Sequence, residues 1–334
     1  MPRYFVTGAT GFLGAEVVKQ LLSRGHQVAA LARDPSKATL LARLGAEVHG
    51  GDITDPATLH APMRGVDGVF HVAAWYKTGH PRAAAVATAV NVAGTRHVLS
   101  AMRDLGIPKG VYTSTLAVNS DTHGTVVDET YRYAGPHLSV YDRTKWQAHY
   151  EVAVPMMAAG LPLVIVQPGA IYGPGDTSAL RAVFVAHLRR RLPFVPARTA
   201  FCWGHIEDMA RAHVEAMDLG RPGQSYIIAG PVHTLREAVR TAAGFSGRSM
   251  PLASVPPGLL QGAAAAARLV EAVVPLPAAL SSETLAILGG TTYLGASDKA
   301  RRELGFRARP LHEGLRHLVE HEMRLLGQTP PGLV

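Results

Sequence analysis

A chain of 334 residues, 47% hydrophobic and 17% charged, carries enough apolar material for a large core, which excludes a disordered protein. One cysteine, Cys202, excludes an internal disulfide framework, and the opening MPRYFVTG lacks signal-peptide regions, so a cytoplasmic setting is expected. The net charge of +8 suits an anionic or phosphorylated ligand rather than nucleic acid, because the arginines are scattered and the densest run is only Arg189-Arg190-Arg191.

In chain order, Tyr4-Phe5-Val6 reads as a short apolar strand, and Phe12 to Arg24 as an amphipathic helix closed by Gly25. Gln27 to Leu31, Glu47 to His49 and Gly68 to Val72 supply three further strands. Ala84 to Leu105 reads as one long helix before the strand Gly110 to Thr113, and Ser139 to Ala159 as another before Leu163 to Val166. Apolar strands alternating with helices predict a parallel sheet covered on both faces. After Gly169 proline and glycine become frequent, and Ser225 to Ile228 stands apart from clear strand–helix units. The expected division is a first domain over 1–169 and a smaller lobe over 170–334, with interleaving of the two left open. Ala263 to Leu288 is the most membrane-like stretch. Arg268, Glu271, Pro275, Pro277 and Glu283 interrupt it, and no membrane association is expected.

Thr7-Gly8-Ala9-Thr10-Gly11-Phe12-Leu13-Gly14 lies between the first strand and the first helix. Gly8 permits a tight turn, Gly11 a close approach to a pyrophosphate, and Gly14 close helix–strand packing. The helix N-terminus then offers free N–H groups to phosphates. This predicts a Rossmann-type, doubly wound α/β fold that binds a dinucleotide. At the tip of the second strand, Arg33 and Lys37 suit the 2′-phosphate of NADP(H), which is favoured, while Asp34 keeps NAD(H) open. The plain reading of Asp34-Pro35 is a turn that opens a helix. Asp52 and Ile53 lie where an adenine would sit, although Asp52 as the cap of a local turn fits as well. Val72, Ala73 and Ala74 are small enough for close approach to a cofactor, and His71 reads as a packed core histidine.

Tyr141 and Lys145 stand four apart on one face of a predicted helix. An ammonium beside a phenol favours the phenolate and lowers its pKa from about 10, so that it can give or take a proton as hydride moves. Thr113-Ser114-Thr115 puts hydroxyls at the carboxyl end of a strand, where such a sheet binds ligand.

With these residues together the chain resembles the extended short-chain dehydrogenase/reductases, and within them the dihydroflavonol-reductase-like and epimerase/dehydratase relatives. The resemblance runs from Arg3 to Asp208. It rests on the glycine loop, Gly51-Asp52-Ile53, His71-Val72-Ala73-Ala74, Asn91-Val92-Ala93-Gly94-Thr95, Thr113-Ser114-Thr115, Tyr141 with Lys145, and Gln167 to Gly175. It implies an NAD(P)-dependent enzyme with Thr115 as the catalytic hydroxyl, Tyr141 as acid/base and Lys145 as its activator. It further implies that Asn91 lies near the active site, that Pro168, Gly169 and Ile171 meet the nicotinamide amide, that Thr113 joins the cofactor site, and that the chain forms a homodimer through its two long helices. Two residues depart from the pattern. Thr115 replaces the commoner serine, and its β-methyl stiffens the side chain. Phe201 stands where sugar-nucleotide epimerases carry an arginine, which leaves an aromatic wall.

The expected reaction is NADPH-dependent reduction of a ketone or aldehyde carbonyl on an apolar or ring-bearing molecule. Trp75, Tyr76, Tyr133, Phe201 and Trp203 are the candidate substrate contacts, though aromatic packing between lobes explains Trp75, Tyr76 and Tyr133 equally well. The alternatives are a sugar epimerase or dehydratase, and a catalytically silent NADP(H) sensor, which would not need Thr115, Tyr141 and Lys145 together. No metal is expected. His317-x-x-Glu320-His321 matches an inverted zincin pattern but lies among Glu322 and Arg324, as on a solvated helix face.

Overall fold

The computed structural model describes residues 1–77, 83–251 and 253–329. Strands β1 (Arg3–Thr7), β2 (Gln27–Ala32), β3 (Glu47–Gly50), β4 (Gly68–His71), β5 (Gly110–Thr113) and β6 (Leu163–Pro168) alternate with helices, as their apolar runs require. They form a parallel sheet in the order β6-β5-β4-β1-β2-β3. The two-residue period of each strand sorts its side chains between two cores. Tyr4, Val6, Val28, Ala30 and Val164 face the layer of helix α1 (Phe12–Ser23), while Phe5, Ala29, Leu31, Tyr112 and Ile165 face the opposite layer.

That opposite layer is built from the two long helices. The first, α2, runs continuously through Ala84–Thr88, a π turn at Ala89–Ala93 and Gly94–Asp104. The second, α3, runs through Val140–Gln147, a π turn at Ala148–Ala153 and Val154–Ala158. Ser139 caps α3, its hydroxyl accepting from the Asp142 N–H.

After β6 the chain enters the smaller lobe through β7 (Ala170–Tyr172), β8 (Phe194–Pro196) and β9 (Ala200–His205), then returns. Helix α4 (Ile206–Asp218) packs beside α1, where Gln20 Nε2 donates to the Glu207 carbonyl at 3.0 Å. Strand β10 (Ser225–Ile228) then extends the sheet beside β6, making seven strands. The segment that stood apart in the sequence is therefore an edge strand, and the Glu129 carboxylate takes its outward Ile227 N–H at 2.8 Å. The chain leaves again for β11 (Val232–Thr234), β12 (Ala253–Val255) and β13 (Thr292–Tyr293), so the lobes interleave. In the lobe β7, β11 and β13 all pair with β9. Among the described residues no helix is long and apolar enough to cross a membrane.

Candidate active site

The glycine loop is a cradle with little room to spare. Gly8 has φ +70°, and a β-carbon there would lie 2.6 Å from the Ala73 nitrogen, while one on Gly14 would overlap the Gly8 carbonyl. Gly11 is the N-cap of α1, with no side-chain cap and no acidic residue in the first turn, so the first N–H groups of the helix stay open to an anion. Thr10 and Gly11 are exposed, Phe12 is half-buried, and Leu13 is packed into the core. The tail of β4 crosses this loop. Ala73 N–H donates to Thr7 Oγ1 at 3.2 Å, and Val72, Ala73 and Ala74 are each half-buried. These features fit a dinucleotide pyrophosphate.

Beneath the loop His71 is a buried structural link. Thr95 donates to the Asn91 carbonyl, so it accepts from His71 Nε2 at 3.0 Å, and Nδ1 takes the Thr7 hydroxyl at 2.8 Å. Burial, with Lys145 nearby, pushes its pKa down to about 3, which keeps the ring neutral. Asn91, in the π turn of α2, holds both the N–H and the carbonyl of Trp75 and donates to the Thr144 hydroxyl. It thereby joins the β4 tail to α3.

At the tip of β2 the charges divide. Asp34 Oδ1 accepts from the Ser36 N–H and hydroxyl, and Lys37 pairs with Oδ2 at 3.2 Å. Asp34 is thus the cap of a short 3-10 turn, and those hydrogen bonds lower its pKa. Arg33 is exposed and makes no ion pair among the described residues. Asp52 likewise closes a turn, accepting from the Thr54 N–H and hydroxyl, while Ile53 is buried against α2.

One face of α3 meets the end of β5. Lys145 Nζ donates to the Thr113 carbonyl at 2.8 Å and to the Tyr112 hydroxyl at 3.2 Å, and lies 4.8 Å from the Tyr112 ring centre. One turn further on, His149 Nδ1 meets Ser114 Oγ at 2.7 Å. One turn earlier, the Thr115 hydroxyl sits beside the Tyr141 phenol and works to lower its pKa. Burial pushes Tyr141 up to about 12, with the Thr115 hydroxyl opposing and Asp142 reinforcing, and it pulls Lys145 down to about 7. The expected lowering of the phenol pKa by the lysine is therefore absent from the protein's own groups: Lys145 is committed to β5, and desolvation, reinforced by Asp142, dominates. Thr113 also departs from expectation. Strand alternation turns its hydroxyl to the other face, where it meets His213 Nε2 at 3.0 Å, and only its carbonyl serves the site.

Above Tyr141 lies an aromatic wall. Phe201 on β9 stacks on Tyr293 of β13, with planes 7° apart and centres 6.1 Å apart, and Tyr141 packs with both around Leu116 and Cys202. Gly169 passes so close to the Cys202 carbonyl that only glycine fits, which brings Pro168 at the end of β6 to this wall, while half-buried Ile171 on β7 packs against the α1 side. Trp203 is a correction: it is fully buried in the core of the lobe, its indole N–H on the His233 carbonyl, and it backs Phe201 edge-on. Tyr133 is tied to its own loop through the Pro136 carbonyl and packs beside Trp146 rather than in the Tyr141 cluster. Tyr76 is half-exposed, and its hydroxyl meets Thr177 of the smaller lobe at 2.9 Å. Sequence reasoning missed Tyr112, His149, His213 and Tyr293. Alternation along β5 carried the signal for Tyr112, while Tyr293 joins the site only through folding.

Residues 4–229 match the family model of the NAD-dependent epimerase/dehydratase family. The chain is 32% identical over 320 residues, 93% of each protein, to the 4-hydroxy-2-methyl-3-oxo-4-farnesyl-3,4-dihydroquinoline-1-oxide ketoreductase of Stigmatella aurantiaca. It is 32% identical over 256 residues to cinnamoyl-CoA reductase 1 of Oryza sativa subsp. japonica, covering 70% of this chain and 73% of that one. The fold is shared with UDP-glucose 4-epimerase of Thermotoga maritima, with a TM-score of 0.76 at 20% identity over 97% of this chain and 99% of that one. A parallel sheet in the 3-2-1-4-5-6 order, a glycine cradle at the first helix and this coverage agree. The chain belongs to the NAD-dependent epimerase/dehydratase family, within the extended short-chain dehydrogenase/reductases, and is an NAD(P)-dependent enzyme.

Proposed function

We propose that this enzyme uses NADPH to reduce the ketone or aldehyde carbonyl of an apolar or ring-bearing small molecule. The observation that carries the reading is Tyr141, with the Thr115 hydroxyl beside it, packed against the Phe201–Tyr293 stack at the end of β5. Arg33, without an ion-pair partner among the described residues and beside an Asp34 already occupied by Ser36 and Lys37, supports the 2′-phosphate cofactor. Gly8, Thr10, Gly11, Phe12 and Leu13 would hold the pyrophosphate, Asp52 and Ile53 the adenine side, and Val72, Ala73, Ala74, Pro168, Gly169 and Ile171 the nicotinamide side. NADPH, when bound, supplies the hydride. Thr115 orients the carbonyl oxygen, and Tyr141, fully protonated at neutral pH with a pKa near 12, gives it a proton. Lys145, held by Tyr112 and Thr113, would hold the nicotinamide ribose. The names of the two reductase relatives support a carbonyl substrate.

Sugar epimerisation or dehydration is the second reading, favoured by the family description. NAD(H) retained through purification, with no net consumption of NADPH, would identify it. Homodimerisation through α2 and α3 and a cytoplasmic setting belong to the same proposal. The test of the chemistry is Tyr141→Phe. It is expected to bind NADPH as the parent does while losing about 10²- to 10⁴-fold in carbonyl reduction. Retention of full turnover would overturn the assignment.

A further inference from the structure

The carboxyl group next to the acid/base tyrosine is buried. Asp142 Oδ1 accepts from the Ser139 hydroxyl at 2.8 Å and Oδ2 from the Tyr293 hydroxyl at 2.9 Å, across 151 residues. Tyr293 is buried and stacked on Phe201. One hydrogen bond therefore ties the first turn of the catalytic helix to the aromatic wall of the other lobe. Glu283, whose Oε1 takes the Val140 N–H at 2.9 Å, fastens the lobe to the same turn, and Asp121 fixes β13 from the far side through the Thr292 N–H and hydroxyl, each at 3.0 Å. A buried carboxylate with two donors is costly to place, and a helix N-cap needs only Ser139, so the capping role leaves Oδ2 unexplained. We propose that Asp142 and Tyr293 form an interlobe latch: positioning residues that set the distance between the Phe201 wall and Tyr141, and thereby the fit of ring-bearing substrates. This rests on the reductase reading for its substrate class but not for the coupling itself.

Tyr293→Phe removes one oxygen and keeps the stack. With 2-tetralone as the probe ketone, KM is expected to rise about tenfold while kcat changes less than threefold and NADPH affinity stays within twofold. Asp142→Asn, which keeps an acceptor, should stay within about threefold of the parent, and Asp142→Ala should match Tyr293→Phe. The double variant Asp142→Ala with Tyr293→Phe should be no worse than either single one, since both break the same bond. Additive losses, or an unchanged KM in Tyr293→Phe, would overturn the latch. Should the parent reduce no ketone, the reductase reading fails, and hydrogen exchange still decides the latch. Faster exchange in both Val140–Gln147 and Thr292–Tyr293 of Tyr293→Phe supports it, and a change confined to β13 refutes it.

Discussion

Lys145 holds its ammonium between the Tyr112 hydroxyl and the Thr113 carbonyl, yet burial brings its pKa down to about 7. A lysine whose folded pKa lies below its unfolded value of about 10.4 costs stability in full below about pH 7, and the cost fades as pH rises toward 10.4. Lys145→Met is therefore expected to raise the melting temperature relative to the parent by several degrees at pH 6 and by clearly less at pH 9. Equal shifts at both pH values, in thermal melts, would contradict a buried ammonium. The spacing of Tyr141 and Lys145 was readable in the sequence because a helix face repeats every four residues. Their electrostatics were not, because desolvation depends on what packs over the helix, and the Tyr112 ring and Phe201 wall come from distant segments.

At the scale of elements, the turn between β1 and α1 leaves the least freedom. A methyl group on Gly14 would press into the Gly8 carbonyl, and Gly8 itself sits against Ala73. Gly14→Ala should destabilise the protein by about 1–3 kcal/mol, the usual cost of overpacking, and weaken NADPH binding through the same displacement. A variant with parental melting temperature and affinity would show that the loop can relax. Glycines at this spacing, six apolar strands and two long helices were evident from composition and period alone. The π turns in α2 and α3 were not, since a one-residue insertion shifts the apolar pattern by a single position within a long helix, yet one of them carries Asn91 at the clamp on Trp75.

Across the whole molecule, the smaller lobe is laid over the carboxyl ends of the strands by a chain that crosses between lobes repeatedly. Ile206–Asp218 and Ser225–Ile228 rebuild the sheet side, and Thr292–Tyr293 closes the wall. A linear reading sees the change of rhythm after Gly169 but not these returns, because an edge strand such as Ser225–Ile228 gains its partner only through tertiary packing. The same limit applies to Trp203, which is aromatic and adjacent to Phe201 but sealed inside the lobe. The charge at the cofactor end is legible in both. Arg33 stands exposed at the strand tip with no ion pair among the described residues, while Asp34 is spent on its own turn.

The central claim, an NADPH-specific site, is tested most directly by fluorescence titration of the purified enzyme with NADPH and with NADH, in the parent and in Arg33→Ala. The account predicts tighter binding of NADPH, weakened about 10- to 100-fold by Arg33→Ala, with NADH affinity nearly unchanged, as the loss of one charge-assisted contact requires. Preference for NADH, or an Arg33→Ala variant that binds NADPH as the parent does, would contradict it.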